Sequence, residues 1–592
     1  MLRGVQGAKF GETISLNALF RGYSNKSAMI QRLFLVLILL VFTQCKKDSK
    51  NGESIANSNA TSTATAKESA PFLWENANVY FLLTDRFANG DPKNDVNFER
   101  TNPTGPLRGF MGGDLKGITE KITSGYFDAL GVTALWFTPV VEQIHGSTDE
   151  GTGETYGYHG YWTKDWTQID PNFGTREDLQ KLVETAHAHG IRILLDAVIN
   201  HTGPITAKDP VWPDEWVLTS PTCNFQDYLG TTACTLVPNL PDIRTGSETD
   251  VALPDALLAK WKSEGRLSQE LDELHFFFER TGYPRAPRYY IIKWLTDYVS
   301  ELGIDGFRVD TAKHADEQAW ADLYNQASFA FESWKKKHAD KVLDENPFFM
   351  VGEVYGFGIS GGRSYNFGDK QVDYFDYGFH SLINFELKYD ATQPYEFIFD
   401  KYNNLLQKTF KGKSVLNYLS SHDDGGPFDP ERKNPYRAAN VLLLTPGASQ
   451  IYYGDESSRI LVAQGAVGDA NLRTFMNWDA IDSIEENQKV LTHWQKLGAF
   501  RKAHPAVGAG KHKMLSANPY VFSRTYITDS HRDKIVVGLD LSSGKKSITV
   551  KGYFGNGTKL LDRYSGTTTV VRNGKALYDT PFDIVLLEPI PE

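Results

Sequence analysis

The sequence predicts an α/β fold assembled from βα units, followed by β structure from about residue 508. Three observations predict it. From about Val79, short apolar runs alternate with amphipathic helical patterns, as they do when strands are joined by crossover helices. The run Ile191-Arg192-Ile193-Leu194-Leu195 is apolar almost throughout, which suits a strand buried on both faces of a parallel sheet. Apolar runs also end at, or lead into, four strings that carry carboxylates and histidines: Asp196-Ala197-Val198-Ile199-Asn200-His201, Gly306-Phe307-Arg308-Val309-Asp310, Gly352-Glu353 and His422-Asp423.

The elements follow in order. Val79 to Thr84 is a first strand, and Val132 to Phe137, stopped by Thr138-Pro139, is a second. Between them Gly113-Asp114-Leu115-Lys116-Gly117-Ile118 leads into a helix. Thr175 caps the next helix with Asp178 three residues on; Leu179, Leu182, Val183 and Ala186 form its apolar face, and Gly190 stops it. The strand that follows closes at Asp196. The interval from His201 to about Arg285 is too long for an ordinary βα loop and reads as an insertion. A further strand around Ile451 leads to a last helix carrying His493, Trp494 and Leu497. Beyond it, Tyr520 to Tyr526 and Lys534 to Leu539 are short strands separated by turn residues, as in an antiparallel sandwich.

At 592 residues the chain holds two or three domains. A net charge of -11 argues against a nucleic-acid or anionic-membrane partner, since both recruit basic patches; an uncharged substrate fits better. Arg32 precedes the unbroken apolar run Leu33 to Phe42. That run is far short of the ~20 residues that span a bilayer and reads as the core of a signal peptide, for which Met29 is a better start than Met1. From Lys46 to about Ala70 the chain is rich in Asn, Ser, Thr and Ala and reads as a tether. Cys223 and Cys234 have ten residues between them. In an exported protein they suggest a local disulfide worth ~3 kcal/mol, with two buried thiols as the other reading.

Taken in order, the four strings resemble the α-amylase family of glycoside hydrolases, and the resemblance spans roughly Trp74 to Lys511. Trp136-Phe137-Thr138-Pro139, Gln143-Ile144-His145-Gly146, Thr311-Ala312-Lys313-His314 and Ser420-Ser421-His422-Asp423 are similar to strings of bacterial periplasmic α-amylases. The resemblance implies a (β/α)8 TIM barrel over 73–202 and 286–507, a small domain inserted after strand 3 over 203–285, and a C-terminal antiparallel β-sandwich over 508–592. Residues 1–45 would then form the signal region and 46–72 the tether. Cys45 resembles the lipid-attachment cysteine of bacterial lipoproteins, although Gln44 stands where a small residue is usual. An exported, monomeric protein of the periplasm or cell surface, touching membrane only through that anchor, is the expectation.

The same resemblance assigns the chemistry. Cleavage of an α-glucosidic bond with retention needs two carboxyl groups about 5 Å apart. Asp310 matches the nucleophile, Glu353 the acid/base and Asp423 a third carboxylate that binds sugar hydroxyls. Arg308, two residues before Asp310 on a strand, faces the same way and can hold it ionised. His159, Tyr161, Asp196, Arg308, His201, Lys313, His314 and His422 match substrate-binding positions. Calcium is the implied cofactor, at Asn200, Asp242 and the carbonyl of His314, with a second set at Asn89, Asp91, Asn94, Asp95, Gly112 and Asp114 for which a metal-free Asx turn is the alternative. Ser421 stands where chloride-dependent relatives carry Asn, so activity independent of chloride is expected. Ser449 stands where relatives commonly carry Pro.

The implied activity is hydrolysis of α-1,4 bonds in starch and maltodextrins. A cyclomaltodextrinase, neopullulanase or glucan transglycosylase on the same scaffold is the alternative, disfavoured because the tether leaves no room for an extra N-terminal domain. A glucan-binding lipoprotein without chemistry is the remote one; the complete set Asp310, Glu353, Asp423 and Arg308 argues against it.

Overall fold

The computed structural model of the chain describes residues 70–591. The apolar run 33–42, Cys45 and the stretch expected as a tether up to residue 69 lie outside the described residues. Eight strands close into a parallel barrel: β1 (Asn78–Leu82), β2 (Ala134–Phe137), β3 (Arg192–Ala197), β4 (Gly306–Val309), β5 (Phe349–Gly352), β6 (Ser381–Asn384), β7 (Ser414–Asn417) and β8 (Ala448–Tyr452). Each pairs with its neighbour in sequence, and β1 lies between β8 and β2, with Asn78 opposite Ser449 and Val79 opposite Ala134. Almost every strand residue is buried, because one face lines the barrel interior and the other lies under the surrounding helices.

Local chemistry sets the helices between them. Asp114 caps α1 (Leu115–Thr123) by accepting the Gly117 N–H at 2.6 Å. Thr175 and Asp178 form a reciprocal capping box on α2 (Arg176–Ala188), whose buried residues are Leu179, Leu182, Val183 and Ala186. Gly190, at φ 69°, then turns the chain into β3.

The insertion between β3 and β4 has two parts. The first carries a two-stranded ladder, Val217–Leu218 with Asp242–Ile243, and a disulfide joining Cys223 to Cys234. The second is a pair of helices, α3 (Asp255–Ser263) and α4 (Leu267–Thr281), leading into the barrel helix α5 (Pro287–Leu302). Lys260 ties α3 to the barrel side through Glu142 at 2.9 Å and Asp165 at 2.8 Å.

The barrel continues through α6 (Gln318–Lys337), α7 (Tyr395–Lys408), α8 (Pro435–Leu444) and α9 (Glu485–Ala503). Eight strands then form the C-terminal region: β9 (Lys511–Ala517), β10 (Tyr520–Ile527), β11 (Arg532–Leu539), β12 (Gly544–Thr549), β13 (Lys559–Asp562), β14 (Thr568–Val570), β15 (Lys575–Thr580) and β16 (Val585–Pro589). Six make one antiparallel sheet in the order β9-β10-β11-β16-β13-β14, while β12 pairs with β15. Val521, Val536, Val585 and Leu587 of the larger sheet share a core with Ile548 and Ala576 of the smaller one. The region is fastened to the barrel by buried polar contacts, notably His504, just beyond α9, between Asp533 and Glu588 at 2.8 Å each.

Candidate active site

The register of β3 against β4 sets Asp196 directly opposite Arg308. Arg308 is wholly enclosed, and its guanidinium meets three carboxylates: Nη1 lies 2.9 Å from Asp196 Oδ1 and 2.7 Å from Asp310 Oδ1, and Nη2 lies 2.8 Å from Glu353 Oε2. Backbone bonds carry the ladder past the strand ends, since Asp310 N donates to Ala197 O at 3.1 Å and Glu353 N to Val309 O at 2.9 Å. The two carboxylates therefore leave adjacent strands side by side at the carboxyl-end rim. Thr311 is at φ 47°, a left-handed conformation unusual for a β-branched residue, and its N–H is thereby aimed at Glu353 Oε2, 3.1 Å away.

Burial pushes the Glu353 carboxyl well above the usual range; Arg308 opposes this, while Asp423 and Asp310 add to it. Asp423 is the open member, with a side chain 35% exposed into the cleft beside His422, 3.7 Å away. Desolvation deep in the concavity pushes it up to about 6 against the pull of Arg308 and Arg473. A carboxyl group whose pKa is raised, beside another on the same cation, is the arrangement for proton donation paired with nucleophilic attack.

His159, Tyr161 and His422 gather along one wall. The Tyr161 ring lies 5.9 Å from that of His159 and 5.2 Å from that of His422, near parallel to both. Burial holds His159, His201 and His422 below the ordinary histidine range, and His314 at about 4, so all four are neutral hydrogen-bonding rings at pH 7. His201 turns Nε2 to the Tyr161 carbonyl at 3.1 Å. Lys313 reaches the Tyr355 carbonyl at 3.0 Å and the Tyr365 hydroxyl at 3.3 Å, near the exit from Glu353.

Two of the expected sugar contacts are corrected. Asp196 has a fully enclosed side chain whose oxygens are taken by Arg308, by the Tyr161 hydroxyl at 2.8 Å and by Trp136 Nε1 at 3.0 Å. Arg308 is equally enclosed. Neither reaches the cleft; both stand behind the carboxylates of Asp310 and Glu353. The sequence reading also missed Asp469 and Arg473. Arg473 donates to the His422 carbonyl at 2.8 Å and pairs with Asp469 at 2.7 Å; Arg108 holds the other Asp469 oxygen at 2.8 Å. Their i,i+4 spacing was the available signal, but a helical ion pair of this kind is ordinary on surfaces.

The two candidate calcium sets differ. Asn200 and Asp242 are brought together where the Asn200 carbonyl accepts from Ile243 N at 2.7 Å. Among the described residues, both side-chain polar atoms of Asn200 and one Asp242 oxygen are buried without a hydrogen-bond partner, and burial pushes Asp242 up to about 9. Orphaned hard oxygens around a destabilised carboxylate fit a cation such as Ca2+. His314, expected to offer its carbonyl, turns its ring Nδ1 to the Thr231 carbonyl, 3.2 Å away. The second set is occupied by its own loop. Asp114 accepts from the N–H groups of Gly90, Asp91 and Gly117 and from Asn94 Nδ2, and Asn89 binds Asp95 at 2.9 Å. Gly112, at φ 88°, has no room for a side chain beside Asn89 and Asp95. These bonds fold the loop into an Asx turn, while Asn94 Oδ1 is buried with no hydrogen-bond partner among the described residues.

Comparison with known proteins agrees with this geometry. The family model for the α-amylase catalytic domain matches residues 81–510. The chain is 36% identical to the periplasmic α-amylase of Escherichia coli over 549 residues, covering 81% of this chain and 76% of that protein. It is 27% identical to a cyclomaltodextrin glucanotransferase of Geobacillus stearothermophilus, spanning 61% of its length. Among solved structures, an α-amylase from Geobacillus thermoleovorans in complex with acarbose superposes with a TM-score of 0.61 at 21% identity, over 88% of this chain and 99% of that one, a likeness of fold.

Proposed function

The chain belongs to the α-amylase family of glycoside hydrolases, and from that premise we propose that it is an α-amylase, cleaving internal α-1,4-glucosidic bonds of starch and maltodextrins with retention of configuration. The observation that carries the reading is the single guanidinium of Arg308, shared by Asp310 at 2.7 Å and Glu353 at 2.8 Å. Two carboxyl groups on one guanidinium stay within the short separation of a double displacement, about 5 Å. Asp310, held in place by Arg308, attacks the anomeric carbon while Glu353 gives its proton to the leaving oxygen. Glu353 then takes a proton from water, which opens the glucosyl ester. Asp423 holds ring hydroxyls from the open side, and His159, Tyr161 and His422 bind the sugar that becomes the ester.

Calcium at Asn200 and Asp242 is part of the proposal. When bound it supplies a fixed positive charge that keeps Asp242 ionised and pins the insertion to the end of β3. Export to the cell envelope, a lipid anchor at Cys45 and a monomeric state complete the reading; likeness to a periplasmic enzyme supports the export.

The glucanotransferases among its relatives favour one second reading, transfer of the glucosyl group to a sugar acceptor. Proton NMR of the first products from maltoheptaose tests both. Newly formed α-anomeric reducing ends support retaining hydrolysis, β-anomers contradict it, and cyclic or lengthened products support transfer.

A further inference from the structure

The turn after β6 runs Glu386-Leu387-Lys388-Tyr389-Asp390, and nearly every side chain on it is tied down. Glu386 accepts from Ser360 N at 2.9 Å and pairs with Lys401. Leu387 is wholly buried in the core. Asp390 pairs with Lys401 at 2.7 Å. Lys388, 5% exposed, pairs with Asp424, whose carboxylate also accepts from the Tyr418 hydroxyl and from Gly426 N at 3.3 Å. Tyr389 is the exception, 67% exposed.

The place of this tyrosine matters. Asp424 directly follows Asp423, so the Lys388–Asp424 pair fastens the turn to the loop that carries the third cleft carboxylate. A Cβ on Gly426 would lie 3.9 Å from the Tyr389 hydroxyl, which sets the ring against that same loop. Tyr355, two residues beyond Glu353, is 46% exposed and is braced by Phe385, 4.9 Å away between ring centroids. The Tyr389 phenol is close enough to Tyr355 to add to the rise in its pKa, behind burial and the carboxylates of Asp424, Asp423 and Glu353. Two open aromatic rings thus lead away from Glu353 along one shoulder of the cleft, on backbone tied by these ion pairs and contacts.

We propose that Tyr389 is a sugar-stacking residue on the leaving-group side of the cleft, receiving a glucosyl ring beyond the one at Tyr355, and that the Lys388–Asp424 pair is the pedestal that holds it there. The inference rests on the α-glucan reading of the site. A flat, rigidly mounted ring at a polar rim binds the apolar face of a pyranose while leaving its hydroxyls in water. The pairing with Asp424 couples the platform to the Asp423 loop, so a long chain seated at Tyr389 is held in register with the reacting carboxylates. Chain length on the leaving-group side therefore becomes a determinant of affinity and of where the chain is cut.

The test is calorimetric binding of maltoheptaose and maltotriose to the Glu353→Gln protein, with and without Tyr389→Ala or Tyr389→Phe, alongside kcat/KM for both sugars with the single Tyr389 variants. Loss of a stacking contact is expected to weaken maltoheptaose binding about three- to tenfold in Tyr389→Ala. Tyr389→Phe should stay near the parent and maltotriose should be unaffected. Equal affinity of parent and Tyr389→Ala for maltoheptaose would overturn the proposal. The binding arm reads the platform even if wild type turns over no glucan, a result that would count against the α-amylase reading instead.

Discussion

Arg308 Nη1 lies 2.9 Å from Asp196 Oδ1, a contact dictated by the residue-for-residue pairing of β4 with β3. Asp196 thereby fixes from behind the cation that Asp310 and Glu353 share. Asp196→Asn keeps the shape and removes the charge. Its expected effect is a kcat lower by roughly 10²-fold at little change in KM, because the misplaced guanidinium disturbs the chemistry and leaves sugar binding alone. Stability should fall by only about 1 kcal/mol, because Arg308 keeps Asp310 and Glu353 and burial already pushes the Asp196 carboxyl up to about 6. Steady-state kinetics and urea denaturation check both; a rise in KM at constant kcat would mean that Asp196 touches the sugar after all.

The orphaned oxygens of Asn200 and Asp242 make metal removal informative. Chelation is expected to lower the melting temperature and Ca2+ to restore it. Mg2+ should not, since it demands a tighter octahedron than a buried carboxylate and amide supply. Asp242→Asn should abolish the response. An unchanged melting temperature after exhaustive chelation would refute the site.

His504 gives the junction with the C-terminal sheets a pH dependence. Burial opposes charge on its ring, but Asp533 and Glu588, the latter also paired with Arg563 at 2.8 Å, outweigh it and raise its pKa. A raised histidine stabilises the fold fully below its unfolded value of about 6.5, and that contribution fades as pH rises through the folded value. The destabilisation caused by His504→Gln should therefore be largest at mildly acidic pH and shrink at alkaline pH. Melting curves of both proteins from pH 5 to 9 decide it, and a gap that widens with pH would contradict the assignment.

Ser421 directly precedes His422, with its hydroxyl 3.3 Å from Nδ1. Activity should change less than about twofold when chloride is exchanged for a larger anion, because no side-chain amide stands there to bind it. A several-fold loss on chloride removal would show that another group does so.

Much of this was legible in the chain, and the reasons are specific. Asp310 and Glu353 could be placed because each directly follows an apolar strand, and strand ends meet at one rim in a parallel barrel. The capping box at Thr175 and Asp178 was readable because both partners are local. β6 was not read: four residues are too few to declare a period, and its identity comes from pairing with β5 and β7. The enclosure of Asp196 also escaped, since the groups that take its oxygens, Trp136 and Tyr161, lie 60 and 35 residues away. Burial decides whether a carboxylate touches sugar or props up its neighbour, and burial is a property of the closed barrel.

The measurement that tests the central claim most directly is a product time course on soluble starch, maltoheptaose and cyclodextrins, comparing wild type with Glu353→Gln. The account predicts rapid release of mixed maltooligosaccharides from starch by wild type, with the variant slower by at least about 10³-fold at unchanged fold and sugar affinity. Cleavage by Glu353→Gln at a rate near wild type would contradict the assignment of Glu353 as the proton donor, and no cleavage by wild type would contradict the α-amylase reading.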